Sequence, residues 1–330
     1  MKQSYYLYKS GRISRKDNTL EITYKDETKR AIPIERVDDI YIMTEFDFNT
    51  SLLNFLSQYG ISVHFFNYYG FYGGTYYPRE QLVSGKLLVK QVENYTDNSK
   101  RIQIAKLFIE AASYNMYRNL NYYKNRGKDV NENILQIEAL RKEIQKCEDV
   151  QTLMGIEGNI RKNYYDAWPK IINQDIKFEK RVKNPPDNAI NSLISYCNTI
   201  VYTRVLSEIY KTQLNPTISY LHEPSERRFS LCLDIAEIFK PIIVDRLIFS
   251  MLNKKQITEE DFKKELNFVY IKDKCRKEIM RQIDLKLQTT IKHRKLDREV
   301  SYEYLIRLEI YKLIKHLLYG EDYEGFKMWW

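Results

Sequence analysis

The hydrophobic pattern changes period once, near residue 85, and that change does most to limit how these 330 residues can fold. Before it lie short β-rich, aromatic runs over residues 3–9, 19–24, 30–34 and 39–43, then 61–66 and 71–77. Gly11, Asp17-Asn18 and Lys25-Asp26 supply turns, and six of the eleven glycines fall in this part, as a turn-rich β domain requires. One helix interrupts the strands: Asn49-Thr50-Ser51 caps a segment with Leu52, Leu53, Phe55 and Leu56 at helical spacing. After Gly85 the pattern predicts helices over residues 99–126, 133–146 and 150–168, then one capped by Asp187 and running to 211. Further helices are predicted over 231–253, 258–266, 273–293 and 301–319. The expected fold class is α+β, with a β domain at 1–85 and a larger all-helical domain at 86–330.

The two parts differ in charge. Residues 1–85 carry ten basic and ten acidic side chains, whereas 86–330 carry 43 and 34, which is the whole net charge of +9. A basic domain beside a neutral one points to a polyanion partner for the second, with plain solubility charge as the rival reading. At 43% hydrophobic and 29% charged residues the chain can bury a core. No apolar run approaches the roughly 20 residues of a bilayer span, and Met1-Lys2-Gln3-Ser4-Tyr5 lacks the apolar stretch of a signal peptide. Cys147, Cys197, Cys232 and Cys275 are widely spaced, which argues against zinc and disulfide frameworks. No membrane role and a cytoplasmic location are expected.

Chemistry concentrates in a few places. His222 lies in the irregular segment 214–224, just ahead of a helix bearing Asp234 and Glu237 on one face. Two carboxylates among Leu231, Leu233, Ile235, Ile238 and Phe239 repel unless a cation or proton sits between them. The alternative is a pair of ordinary surface acids. Glu157 stands between Gly155 and Gly158 within a helical segment, and two such glycines cost the helix about 1 kcal/mol each. Either another element or a ligand approaches there, or the glycines form a packing notch. Arg161, Arg227, Arg228 and Arg246 are candidate phosphate contacts, with surface ion pairing as their alternative. Tyr164 and Tyr165 suit stacking on nucleic acid, or simply cover a core edge. His64 and His316 read as packing residues, and His293 as part of a basic run. Neither a phosphate-binding G-x-x-x-x-G-K-[ST] loop nor a G-x-S-x-G nucleophile turn is present.

Three segments, taken together, resemble one family. They are Gly155-Ile156-Glu157-Gly158, Asn184-Pro185-Pro186-Asp187-Asn188-Ala189-Ile190-Asn191, and the stretch from Leu214-Asn215-Pro216 through Leu221-His222-Glu223 to Leu231–Pro241. Their order and spacing are similar to those of the CRISPR-associated integrases of the adaptation module, and the ending Gly325–Trp330 is similar to tails in that family. The resemblance implies a β-sandwich-like N-terminal domain and a helical domain holding one divalent ion, Mg²⁺ or Mn²⁺. The implied ligands are Glu157, His222 and Glu237, with Asp234 as a further acid of the site. Glu237 stands where the family often has aspartate, and Lys240 where it commonly has arginine. The implied reaction is transesterification, joining the 3′-hydroxyls of a short incoming double-stranded DNA to a CRISPR repeat, with associated endonuclease activity. The implied partners are DNA, a second copy of the chain through the β domain, and a small ferredoxin-like CRISPR-associated protein. Two alternatives stay open: a nuclease for branched or free DNA, and a non-catalytic nucleic-acid-binding scaffold.

Overall fold

A computed structural model describes residues 2–329 except 68, 79–81, 184, 227–228 and 266–267. The chain divides into two compact units, Met1–Val83 and Ser84–Trp330.

The first unit holds β1 (Gln3–Leu7), β2 (Gly11–Lys16), β3 (Thr19–Tyr24), β4 (Lys29–Pro33), β5 (Val37–Ile42), β6 (Phe46–Asp47), α1 (Thr50–Gln58), β7 (Ser62–Phe66) and β8 (Tyr72–Tyr76). They build two four-stranded sheets, ordered β1-β5-β7-β8 and β4-β3-β2-β6. Alternation drives them together: Ile13, Leu20, Ile22 and Ile32 from one sheet share a core with Leu7, Ile40, Ile42 and Val63 from the other, along with Leu52, Phe55 and Leu56 of α1. Asn49 caps α1 by accepting the Leu52 amide at 3.0 Å. Strand β2 has no sequence signal, because Arg12, Ser14, Arg15 and Lys16 surround its single buried residue, Ile13. His64 is a core residue, its Nδ1 2.8 Å from Thr75 Oγ1.

The second unit is mostly helical. It begins with α2 (Gly85–Thr96) and the 27-residue α3 (Asn98–Lys124), followed by α4 (Asn131–Glu143), α5 (Val150–Asp166), α6 (Trp168–Ile171) and α7 (Ala189–Tyr210). Helix α8 (Ser230–Lys240) passes through a π-helical turn, Pro241–Asp245, into α9 (Arg246–Asn253). Two short hairpins are set among the last helices. The first pairs β9 (Phe262–Glu265) with β10 (Phe268–Ile271); α10 (Asp273–Gln288) follows. The second pairs β11 (Thr290–His293) with β12 (Arg298–Ser301), before α11 (Tyr302–Tyr319).

These hairpins correct the sequence reading. Of residues 258–266, expected as helix, 266 lies outside the described residues, and Thr258–Glu265 form a turn capped by Thr258 and Asp261 and then β9. The helix expected over 273–293 stops at Gln288, where Thr289, Thr290 and Ile291 put three β-branched residues in a row. The unit is therefore not all-helical.

Helix α3 is the spine of this unit, and two buried asparagines on it tie down the break after α8. Pro241 has no N–H to donate to the preceding turn. Asn115 donates to Ile238 O at 3.0 Å, and Asn119 donates to Pro241 O at 2.6 Å. Asn115 also donates to Phe326 O at 2.9 Å and accepts from the Met328 amide at 2.8 Å, binding the C-terminal tail to the same place. There Gly325 packs so close that an added Cβ would lie 2.6 Å from Ala111 Cβ and 3.1 Å from Leu107 O. Gly325→Ala is therefore expected to destabilise the protein by about 1–3 kcal/mol through overpacking. A shift of the urea midpoint measures it, and an unchanged midpoint would contradict the close packing.

Candidate metal centre

Helix α5 starts where Asp149 accepts the Thr152 amide at 2.7 Å. It presents Glu157 and Arg161 one turn apart, with Tyr164 and Tyr165 one turn further on. Helix α8 presents Asp234, Glu237 and Lys240 at three-residue steps, and the loop ahead of it carries His222.

The structure brings Glu157 and Glu237 together on one guanidinium. Arg161 Nε donates to Glu157 Oε1, and Arg161 Nη2 is ion-paired with Glu237 Oε2. Lys240 Nζ donates to the other Glu237 oxygen at 2.7 Å. Glu237 is buried, and two carboxylates held this close require a cation between them, which Arg161 supplies. Burial pushes the Glu157 carboxyl up, but Arg161 outweighs it and holds the group below its ordinary value, the His222 and Lys240 side chains adding to the effect. Burial lowers Arg161, and Glu157 more than restores it, so the guanidinium stays firmly charged. Lys240 is drawn down to about 7 by burial and by repulsion from Arg161.

Asp234 has a different task. It is fully buried, and both its oxygens are engaged. Oδ2 accepts the amides of Tyr220 at 2.8 Å and Leu221 at 3.0 Å; Oδ1 accepts the His222 amide at 3.1 Å and His222 Nδ1 at 2.7 Å. This carboxylate folds the loop and fixes the imidazole, leaving His222 Nε2 as the ring nitrogen available to a ligand. Asp234 is thus a positioning residue, not one with an oxygen to spare.

Of the other candidates, Tyr165 lies against the cluster, hydrogen-bonded to Arg161. Tyr164 is 1% exposed and Tyr165 8%, packed with Trp168. Neither ring offers a face for stacking on DNA; the core-edge alternative describes them. Arg246 lies over the Tyr122 ring, its centroid 5.1 Å away. Arg227 and Arg228 lie outside the described residues. Around Gly155 and Gly158 an added Cβ would meet nothing within 4 Å, so they form no packing notch and the surface beside Glu157 is open.

Three groups near the site escaped the sequence reading. Lys183 is lowered by burial and by the positive charge of Arg161 and Lys240. Arg181, also lowered by burial, donates to Ser195 Oγ at 2.8 Å. Asp245 is raised to about 7 by burial, against the hydrogen bond to Tyr164 and the pull of Arg161. The first two lie in a loop whose course periodicity does not reveal. Asp245 had a signal: one acid ending the apolar run Pro241-Ile242-Ile243-Val244.

A family model described as "CRISPR associated protein Cas1" matches residues 5–284. The CRISPR-associated endonuclease Cas1 of Fusobacterium nucleatum subsp. nucleatum is 59% identical over 330 residues, covering 100% of this chain and 98% of that protein. A solved Cas1 protein from Thermotoga maritima superposes with a TM-score of 0.87 at 38% identity, over 99% of this chain and 100% of that one. A casposase bound to integration product has the same fold, with a TM-score of 0.87 at 20% identity, over 98% and 92% of the two chains.

Two expectations follow from the geometry. Asp234→Ala removes the acceptor of three amides and should cost about 3 kcal/mol in urea unfolding, with the His222 imidazole losing its fixed tautomer by NMR. An ordered His222 in that variant would contradict the positioning role. Asp245 holds its proton to about pH 7 in the fold, whereas an ordinary carboxyl releases it near 3.8. Between those values the native state binds the extra proton, so stability falls as pH rises through the window. Asp245→Asn should flatten that fall in urea midpoints taken across it.

Proposed function

This chain belongs to the Cas1 family of CRISPR-associated proteins, and on that premise we propose that it is a divalent-metal-dependent DNA endonuclease and integrase. The observation that carries the reading is the guanidinium shared by Glu157 and Glu237. Two carboxylates converge on one cation, and Asp234 holds an imidazole close enough to act electrostatically on Glu157. Two oxygen ligands and one nitrogen ligand suit Mg²⁺ or Mn²⁺, and Arg161 stands in for that positive charge. Glu157, Glu237 and His222 Nε2 would hold the ion. Once bound, it would supply Lewis-acid polarisation of a phosphate and charge stabilisation of the entering and leaving oxygens.

The chain's own residues do the rest. Asp234 keeps His222 in one tautomer. Lys240 and Lys183 add positive charge at the site, where a phosphodiester anion would relieve their mutual repulsion. The open surface at Gly155 and Gly158 leaves a DNA strand room to approach the Glu157 turn. A 3′-hydroxyl of the incoming DNA attacks the phosphorus at the edge of a CRISPR repeat. One phosphodiester bond forms and one breaks, and the proton lost by the attacking oxygen is matched by the one the leaving 3′-oxygen gains. No covalent bond to the protein is needed. With water as nucleophile the same site cleaves DNA, a reading favoured by the relative named an endonuclease.

Double-stranded DNA would meet the basic unit 86–330. A second copy of the chain and a small ferredoxin-like CRISPR-associated protein would meet the neutral unit 1–85. Among the described residues no helix is long and apolar enough to cross a membrane, and we place the protein in the cytoplasm.

The test is strand transfer of a labelled short duplex into a plasmid carrying a CRISPR repeat, with the ferredoxin-like partner and Mn²⁺ or Mg²⁺. Joining should require the metal. His222→Ala, Glu157→Ala and Glu237→Ala should each lower its rate by more than the ~10–100-fold typical of losing an outer-shell partner. Cleavage without joining would favour the nuclease, and binding with neither reaction would favour a scaffold. Gly158→Ala separates substrate access from folding: it should stabilise α5 by up to about 1 kcal/mol yet slow joining. Faster or equal joining by that variant would remove the role of the open surface.

A further inference from the structure

One turn of α2 carries its polarity the wrong way round. Leu88, Val89 and Val92 are exposed, while Gln91 is fully buried. A buried side-chain amide costs free energy unless its donor and its acceptor are both taken up. Those of Gln91 are taken up by a single residue far away in the chain. Nε2 donates to Asn215 O at 3.0 Å, and Oε1 accepts the Asn215 amide at 2.9 Å. The side chain pairs with Asn215 as a neighbouring strand would, at the start of the irregular segment that carries His222. The side chain of Asn215 is itself spent within that segment, accepting the Thr217 amide at 2.9 Å.

Gln91 grips the segment at two points. After Asn215, Pro216 gives its carbonyl to the Leu231 amide at 3.0 Å, in the first turn of α8. Further on, the Tyr220 hydroxyl reaches Gln91 O at 3.4 Å, and Arg101 of α3 donates to Tyr220 O at 3.0 Å. Tyr220 is fully buried, and its amide is one of the three that Asp234 accepts. A continuous chain of bonds therefore runs from Gln91 through Tyr220 to Asp234 and the His222 imidazole. Asp234 fixes the ring within the loop. Gln91 fixes the loop against α2, a helix that contributes no residue to the cluster of Glu157, His222 and Glu237.

We propose that Gln91 is a positioning residue of the metal centre: by clamping Asn215 and meeting Tyr220, it sets where His222 Nε2 stands relative to Glu157 and Glu237. The inference rests on the metal-dependent reading for what the imidazole binds. Ligands from separate elements have to be held within about 0.5 Å of their working places. A loop with no ladder of its own does not reach that precision unaided. An apolar side chain at 91 would fill the same space in α2 with less desolvation, so what the amide adds is the placement of this segment.

The test uses the full chain with two variants. Gln91→Met keeps the volume and removes both bonds to Asn215; Gln91→Asn keeps the amide and shortens its reach, and carries the test if the first does not fold. Mn²⁺ binding is read from the magnetic-resonance signal of the free ion. The His222 imidazole is read from its nitrogen resonances in the metal-free protein, assigned with His222→Ala. Both variants should bind Mn²⁺ about 10-fold or more weakly, the loss typical when a group behind a metal ligand is removed. Their His222 nitrogens should move toward the average of the two tautomers. Strand joining should fall at limiting Mn²⁺ and recover at saturating Mn²⁺, the metal requirement rising while the maximal rate holds. Native Mn²⁺ affinity and native His222 resonances in the variants, beside a lowered urea midpoint, would make Gln91 a structural residue only and overturn the proposal. If His222→Ala binds Mn²⁺ as tightly as the native chain, the metal reading fails; the His222 nitrogens then decide the role of Gln91 alone, and unmoved resonances would overturn it.

Discussion

Two carboxylates from different helices meet on one guanidinium, and the arrangement of the second unit is built around making that meeting possible. Glu157 comes from α5 and Glu237 from α8, and Arg161 joins them. In water such a pair would be worth little. Here Glu237 is buried, so its charge must be matched or the fold loses several kcal/mol. A cation at this position is a requirement of the fold before it is a requirement of any reaction. Arg161 meets it from within the chain, and a divalent ion would meet it more compactly.

The frame that holds the pair is a broken helix. Pro241 interrupts the hydrogen-bond ladder immediately after the turn bearing Glu237 and Lys240, and the chain widens into a π-helical turn before resuming as α9. Asn115 and Asn119 accept this irregularity by taking up Ile238 O and Pro241 O. The same Asn115 clasps the C-terminal tail. The direction of α8, and so the place of Glu237, is set from the side of α3. On the other side Asp234 shapes the loop that delivers His222. One helix therefore serves two purposes at one-turn spacing, with an acid that builds and an acid that faces the site.

Much of this was legible in the sequence, for physical reasons that differ by element. The α+β class follows from the change of hydrophobic period, and the long helices follow from their stripes. The β9–β10 and β11–β12 hairpins were missed because short strands within charged helical sequence leave too few residues to show a period of two. Strand β2 was missed because only Ile13 faces inward. At the site, Glu157, His222 and Glu237 could be named from motifs. That Asp234 has no oxygen to spare could not, since three of its four bonds run to backbone amides that any sequence possesses, and only the fourth to a side chain, His222 Nδ1. The burial of Tyr164 and Tyr165 was equally invisible, because tyrosine reads the same at a core edge and on a binding face. Lys183 and Arg181 come to the site on an irregular connector that carries no periodic signal.

The two glycines that flank Glu157 have a consequence for motion. Gly155 and Gly158 touch nothing that would replace the helix propensity they give up. The middle turn of α5 therefore draws its order from the cap at Asp149, from the buried anchors Leu153 and Ile160, and from the charge held between Glu157 and Glu237. Its amides report the state of that charge: tightly bridged, the turn exchanges slowly with solvent; with the bridge undone, it opens ahead of the rest of the helix. The charge balance between Glu157 and Glu237 is thereby coupled to the rigidity of the open surface beside it.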